Sequence, residues 1–560
     1  MKKNLFFLLL TFILIVPSFF SLLRPGYFPM QDDMQAFRLQ QLDKCVKDGQ
    51  IPCRWVPDAG YGYGYPQFNF YAPFVYYLGE VFHLVGWQFI DSVKILFILG
   101  FVLAGFAMFL FVQELFGGLP AVLAAVLFTY SPFRAQEVFV RGALSEFWAG
   151  VFFPLILWAL LKLVKEGKRR YLIFSALSIA GLFITHNLLS FLFMPIVLLW
   201  LIYLFVTFKK TFDCKKVASA LLLGFGVAAF FVLPMLLEMK YVHTETMLGG
   251  YFDYRQHFVS FKQLLFSNYW GYGSSQLGPN DDLNLSTGIL NWTLSALALI
   301  AAFLTAFKKK RNIFWLTFFS FTLGLAFLFL IHQRSSFVWI LAKPLSYLQF
   351  PWRLLIFSSL IFSFLGGVFI SLAGKYRYLL GILIVVILFG LQVNFFKPVS
   401  WLKIGDKEKF SSVYLQKQVT ASIFDYLPIY AKLPPEAKAP DLPEVLAGKA
   451  EFRDYFKTSD YQKGKLEIID KAVIRLPLFD FPGMKVTLDN KEITHVNNNC
   501  TKEKFCLGLI TFEAEAGVYD FAVRLNNTPL RSISNLVSLG SLMILVFLLF
   551  VKNEKIIQKD

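Results

Sequence analysis

Two adjacent carboxylates, Asp32 and Asp33, stand shortly after the first apolar stretch of the chain and before Met34–Lys47, a loosely amphipathic segment. Carboxylates so placed could hold a divalent cation such as Mg or Mn, or take a proton from a hydroxyl nucleophile. Asp32 with Gln35 also fits a helix capping box, and the two roles can coexist. Further on, Tyr61–Gly62–Tyr63–Gly64–Tyr65–Pro66 combines glycines, which permit close backbone approach, with aromatic faces bearing hydroxyls. Tyr63 and Tyr65 are candidate contacts for a sugar ring. An aromatic belt around a turn would draw on the same residues.

A second group is Arg134, Glu137, Arg141 and Glu146, at the end of an apolar run. Charges at membrane depth are expensive, so Arg141 is a candidate for binding phosphate, with Glu146 orienting it or binding metal. An internal Arg–Glu pair stitching two helices together is the competing reading. His186, in ITHNLLS, falls at a helix junction, where hydrogen-bonded structure competes with a substrate contact. A third group runs from His332–Gln333–Arg334 through Lys343 to Arg353 in LQFPWRLL. Lys343 and Arg353 suit a lipid phosphate, or simply snorkel to the bilayer surface.

The elements that position these residues are membrane helices. The 560 residues are 56% hydrophobic and 16% charged, well below the roughly 25% charged of an average soluble domain. Twelve apolar segments are expected as spans, near 5–23, 94–115, 117–134, 147–164, 171–186, 188–207, 217–238, 288–307, 312–331, 353–373, 377–395 and 533–551. Of these, 117–134 and 171–186 are short. With the N-terminus inside, the cytoplasmic segments hold 20 basic and 5 acidic residues, which accounts for +15 of the +17 net charge. The basicity therefore reports orientation, not a nucleic-acid partner. Phe68–Gly86 is read as an interfacial or re-entrant helix, since a thirteenth span would move the later Lys/Arg clusters outside.

The chain divides into a transmembrane body, 1–396, with external loops 24–93 and 240–287, an external polar domain, 397–532, and a C-terminal anchor with cytoplasmic tail, 533–560. The polar domain is expected to be β-rich from about 465, a small sandwich of antiparallel hairpins with turns at Asp489–Asn490 and Gly517. Val473, Ile474, Val486, Leu488, Ile510 and Phe521 are its expected core. Cys45 and Cys53 lie close together in one external loop, and Cys500 and Cys506 in the polar domain. Two disulfides are expected, with Cys214 a free thiol.

The segments QDDMQ, GYGYPQFNFYAPFVYYLG, RGALSEFWAG, THNLLSF and LQFPWRLL together resemble bacterial membrane proteins known as 6-pyruvoyl-tetrahydropterin synthase-related. FDFPGMKVTLDNKEI and EAGVYDFAVRLNNTPLR resemble the periplasmic-type sandwich that ends such chains. The pterin label fits poorly, because no zinc-binding His triad is present. The likeness extends to the glycosyltransferase C superfamily, multi-span enzymes with an acidic motif in the first external loop that use a sugar on polyprenyl phosphate. Asp32–Asp33 takes the acidic-motif position, though adjacent rather than spaced D-x-D, and Arg141 and Arg353 become donor-phosphate contacts.

The resemblance implies a helical polytopic protein of the bacterial plasma membrane, both termini cytoplasmic. It would transfer sugar from a polyprenyl-phosphate-linked donor to a glycan, lipid or protein acceptor, with inversion. A lipid or polysaccharide transporter and a non-catalytic envelope-assembly protein are the alternatives. No Walker loop, dinucleotide fingerprint or G-x-S-x-G elbow supports a soluble nucleotide enzyme or serine hydrolase.

Overall fold

The computed structural model describes residues 2–276, 281–306, 311–420, 425–497 and 506–550. The chain opens with α1 (Lys2–Ile15), then α2 (Gln35–Lys47), α3 (Gln67–Phe70) and α4 (Phe74–Leu84). The body continues through α5 (Phe89–Phe116), α6 (Gly118–Thr129), α7 (Pro132–Gln136), α8 (Leu144–Glu166), α9 (Arg169–Phe183), α10 (Asn187–Thr207) and α11 (Cys214–Leu237). After a long connection that includes several 3-10 turns and the short α12 (Phe261–Phe266) come α13 (Ile289–Ala306), α14 (Arg311–Ile331), α15 (Ser336–Leu341), α16 (Leu355–Leu372) and α17 (Arg377–Gln392). Two short helices, α18 (Asp406–Lys409) and α19 (Ser412–Thr420), precede the strands, and α20 (Pro529–Phe550) closes the chain.

Nine described helices are long and apolar enough to span a bilayer, or ten if the bent pair Gly118–Thr129 and Pro132–Arg141 is one span. All twelve apolar segments are helical, yet three fall short of a full-length straight span. The first yields the apolar helix Asn4–Ser18. The segment near 171–186 gives the 15-residue α9. The segment near 117–134 breaks at Ser131–Pro132, with a 44° bend, because proline cannot donate to the preceding turn and starts α7 instead. Phe68–Gly86 likewise forms no span, only α3 and the 11-residue α4. Lys308–Lys310 and the tail 551–560, both used in the charge reading, lie outside the described residues.

Helices α8 and α16 form the centre of the body: 83% and 89% of their apolar windows are buried, against 11% for α20. A helix apolar all round can be buried all round. At Gly367 of α16 a Cβ would come within 2.9 Å of the Pro120 carbonyl oxygen, so only glycine lets α6 approach so closely. α20 instead lies against α11, where the Ser538 hydroxyl donates to Gly226 O at 3.0 Å and accepts from Phe230 N at 2.7 Å.

The polar segment forms one antiparallel six-stranded sheet: β1 (Glu444–Lys457), β2 (Tyr461–Phe479), β3 (Met484–Leu488), β4 (Lys491–Ile493), β5 (Leu509–Ala514) and β6 (Gly517–Leu525). Its order is β1-β2-β6-β3-β4, with β5 pairing the second half of β2 and β6 the first half. Phe512 of β5 and Phe521 of β6 stack at 5.9 Å; the strands expected as a sandwich of hairpins thus belong to one antiparallel sheet.

The strands start at residue 444, not near 465. β1 lies along the surface with no residue buried, so it carries no apolar alternation to read. The expected start near 465 falls inside β2, one continuous 19-residue strand. Of the expected core, Ile474, Val486, Leu488, Ile510 and Phe521 are buried, but Val473 is only half-buried. Adjacent strand residues point to opposite faces, so Val473 and Ile474 cannot both enter the core. The hairpin turn at Asp489–Asn490 has φ of 48° and 62°, the left-handed pair that a two-residue hairpin requires.

Candidate functional site

The segment 27–34 is held against the helix break that follows α6. Gln31 N and Asp32 N donate to the carbonyls of Val140 and Arg141, each at 2.9 Å. The short π-helical turn Glu137–Arg141 ends at Gly142, whose φ of 67° is left-handed. A Cβ there would meet the Met30 sulfur at 2.2 Å, so the close approach of the Asp32 segment to the break depends on this glycine.

Asp32 does not cap α2. Met34 holds the N-cap position and makes no side-chain cap bond. The Asp32 carboxylate instead accepts from Arg38 Nη1 at 2.8 Å and Gln35 Nε2 at 3.0 Å. Gln35 also donates to Gly142 O at 2.8 Å and accepts from the Tyr76 hydroxyl at 2.6 Å. Arg38 is buried, with its guanidinium 4.5 Å from the centre of the Tyr71 ring.

On the other side of Asp32, Arg141 grips Glu146 through two parallel hydrogen bonds, 2.9 and 2.7 Å, and lies 4.6 Å from the Trp352 ring. Arg353 reaches the same carboxylate, its Nε 3.3 Å from Oε2, while its Nη1 donates to Leu348 O and Gln349 Oε1. The backbone of Asp32 is bonded to the carbonyl of Arg141 at 2.9 Å, which sets Asp32 beside this group. Arg38 thus holds the half-exposed Asp32 carboxylate, which is 38% accessible, while Arg141 and Arg353 both hold Glu146. His186 caps α10, its Nδ1 accepting from Leu189 N at 3.3 Å, and feels the charges of Glu146, Arg353 and Arg141. Arg134 and Glu137 form a fully buried pair, at 3.2 Å, deeper in the bent helix.

Asp33 points elsewhere. Its Oδ2 is 2.6 Å from the ammonium of Lys409, at the end of α18. Burial holds the Asp33 carboxyl above the ordinary carboxylate range, more strongly than Lys409 lowers it. Asp406, also on α18, accepts from Phe89 N and Ile90 N at 2.7 and 3.1 Å, capping α5 from a distance in sequence. Each carboxylate of the pair is therefore matched by a cation, and no group of three acidic, His or Cys side chains able to hold a metal occurs among the described residues.

The tyrosines divide between two surroundings. Tyr65 is buried, its hydroxyl accepting from Tyr426 N at 2.6 Å, and it lines a small cavity with Arg38, Gln67, Tyr71, Asp425 and Tyr426. Tyr63 packs on Phe479 of β2, at 5.4 Å, and so joins the body to the sheet, away from the arginines. Lys343 is exposed and makes no ion pair with the cluster among the described residues. Cys45 and Cys53 are joined by a disulfide, Cys214 is free and exposed, and Cys500 lies outside the described residues.

Arg38 and Lys409 are the site residues that sequence reasoning missed. Arg38 had a legible signal: it sits on the buried face of α2 with Gln35, Leu39 and Leu42, where an unpaired charge would be costly. Lys409 had none, because its partner is hundreds of residues away.

Residues 68–397, more than half of the chain, match the family described as 6-pyruvoyl-tetrahydropterin synthase related domain, membrane protein. The chain belongs to that family. It is 27% identical over 248 residues, 42% of its length, to an uncharacterized protein of Lactococcus lactis subsp. cremoris strain MG1363, and it spans 40% of that relative. Among solved structures, the Archaeoglobus fulgidus oligosaccharyltransferase in its apo form is similar with a TM-score of 0.46 and 13% identity, covering 78% of this chain and 61% of that one. The same enzyme in complex with Zn and sulfate gives a TM-score of 0.39 and 14% identity, covering 71% and 53%. At these scores the likeness decides nothing about activity.

Proposed function

We propose that the protein is a membrane glycosyltransferase that moves a sugar from a phosphate-linked polyprenyl lipid to an acceptor hydroxyl of a cell-envelope glycan, lipid or protein. The observation that carries this reading is the half-exposed Asp32 carboxylate held by Arg38, its backbone bonded to that of Arg141, next to the Glu146 that Arg141 and Arg353 share. A departing lipid phosphate needs cations, and an attacking hydroxyl needs a base; here both stand together. Arg141 and Arg353, aligned by Glu146, bind the phosphate. Asp32 takes the acceptor proton, and attack on the face opposite the phosphate inverts the anomeric carbon. Asp33 serves by tying the α18 segment to the site through Lys409. In this reading the protein sits in a bacterial plasma membrane with both termini cytoplasmic and residues 397–532 outside.

A transporter reading draws on the fully buried Arg134–Glu137 pair at the break between α6 and α7, since charges at broken helices often line translocation paths. Asp32→Asn and Asp33→Asn, expressed in the native cell, separate these ideas. Glycan profiling by mass spectrometry should show product lost with Asp32→Asn, and retained with Asp33→Asn in proportion to the protein present. Unchanged product with both variants, at normal protein levels, would overturn the enzyme reading.

A further inference from the structure

Three successive carbonyls at the end of the π-helical turn hold the acidic segment. Val140 O and Arg141 O accept from Gln31 N and Asp32 N, each at 2.9 Å, and Gly142 O accepts from Gln35 Nε2 at 2.8 Å. They are available because a helix ends there, leaving its last carbonyls without amides of their own. We propose that Arg134, through its pair with Glu137, is a positioning residue for Asp32: it fixes the turn whose carbonyls cradle Asp32. This rests on the glycosyl-transfer reading above, in which Asp32 is the base, and adds to it the part that aims that base.

One atom makes the connection. Arg134 Nη1 donates to Glu137 Oε2 at 3.2 Å and to Phe147 O at 2.7 Å. Glu137 opens the turn, and its own carbonyl closes it by accepting from Gly142 N and, at 2.7 Å, from Ala143 N. Phe147 follows Glu146, the carboxylate that holds Arg141 and Arg353. Arg134 therefore joins the turn bearing Arg141 and the cradle to the turn of α8 bearing Glu146. The slot is shaped for a flat cation: the guanidinium carbon lies 3.9 Å from the Phe147 ring centre and 5.2 Å from that of Phe128, and a Cβ at Gly150 would collide with Nη1.

Stability alone would not select this pair. Both side chains are fully buried, and Arg134 Nε, Arg134 Nη2 and Glu137 Oε1 meet no hydrogen-bond partner among the described residues. Apolar side chains of similar volume commonly do as well or better than such an ion pair, whereas a buried pair can fix one geometry among several. The geometry fixed here is that of the three carbonyls, and hence of Asp32.

The double variant Arg134→Met/Glu137→Gln removes both charges, in full-length protein in nanodiscs. Its melting temperature should equal or exceed that of the wild type. By hydrogen–deuterium exchange, the amides of Gln31 and Asp32 should exchange about tenfold faster or more. With radiolabelled lipid-linked sugars from the native membrane, kcat should fall by roughly 10²-fold while KM for the donor stays near its wild-type value. Arg134→Lys keeps the charge but loses the flat stack on Phe147, and should be intermediate in both readings; it decides the matter if the double variant fails to accumulate. Wild-type exchange and wild-type kcat in either folded variant overturn the inference and leave glycosyl transfer standing. Faster exchange with wild-type kcat also overturns it, because Asp32 then needs no aiming. Asp32→Asn is the control for the reading beneath: transfer at the wild-type rate by that variant sinks glycosyl transfer at Asp32, whatever the exchange data say of the cradle.

Discussion

The stability of the protein should fall as pH rises from 5 to 8, and one side chain should account for much of the slope. Glu80 on α4 is buried against Asp43 of α2, with Lys47 and His83 the nearest cationic groups. Burial first, and then the charge of Asp43, push the Glu80 carboxyl up to about 7 from an ordinary 4.5. Two ionised carboxylates cannot share that contact, so the native state keeps a proton that the unfolded chain releases. The contribution is whole below pH 4.5, drains away as pH rises, and is gone above about 7. At about 1.36 kcal/mol per pH unit of displacement, the loss amounts to at most roughly 3 kcal/mol. Glu80→Gln keeps the shape and removes the titration. Thermal unfolding in nanodiscs between pH 5 and 8.5 should show a declining wild-type melting temperature and a flatter profile for Glu80→Gln, with the variant the more stable at pH 8. Parallel profiles would refute the shared-proton contact. The link to the site is short, because α2 also carries Gln35 and Arg38.

Asp33→Asn strands the buried Lys409 ammonium and should cost about 3–5 kcal/mol of stability. Activity per folded molecule should change little, as measured by melting and specific activity together. Arg531 of α20 is fully buried on Glu238 at 2.9 Å, so Glu238→Gln should destabilise the protein by a similar amount, about 3–5 kcal/mol; pairing it with Arg531→Met should recover part of the loss in unfolding assays. Non-reducing mass mapping should find Cys45 linked to Cys53 and Cys214 alkylated as a free thiol.

What could be read from the sequence followed the strength of each local physical signal. Helices with long apolar runs were legible because the bilayer demands them, and the β3–β4 hairpin because Asp489–Asn490 suits left-handed backbone. β1 was not, since none of its residues is buried and its sequence shows no apolar alternation. At the site, Asp32, Arg141, Glu146 and Arg353 stood out as charges beside apolar runs, and the fold brings them together. Which aspartate faces the arginines was beyond sequence. It is decided by Lys409, which draws Asp33 away, and by Arg38, which holds Asp32 in place.

The most direct test of the central claim uses purified protein in nanodiscs with radiolabelled lipid-linked sugars extracted from the native membrane. The wild type should release lipid phosphate and transfer label to the acceptor in equal amounts. Asp32→Asn, folded and present at the same level, should be slower by roughly 10²–10⁴-fold. Transfer by Asp32→Asn at the wild-type rate would contradict the assignment of Asp32 as the base.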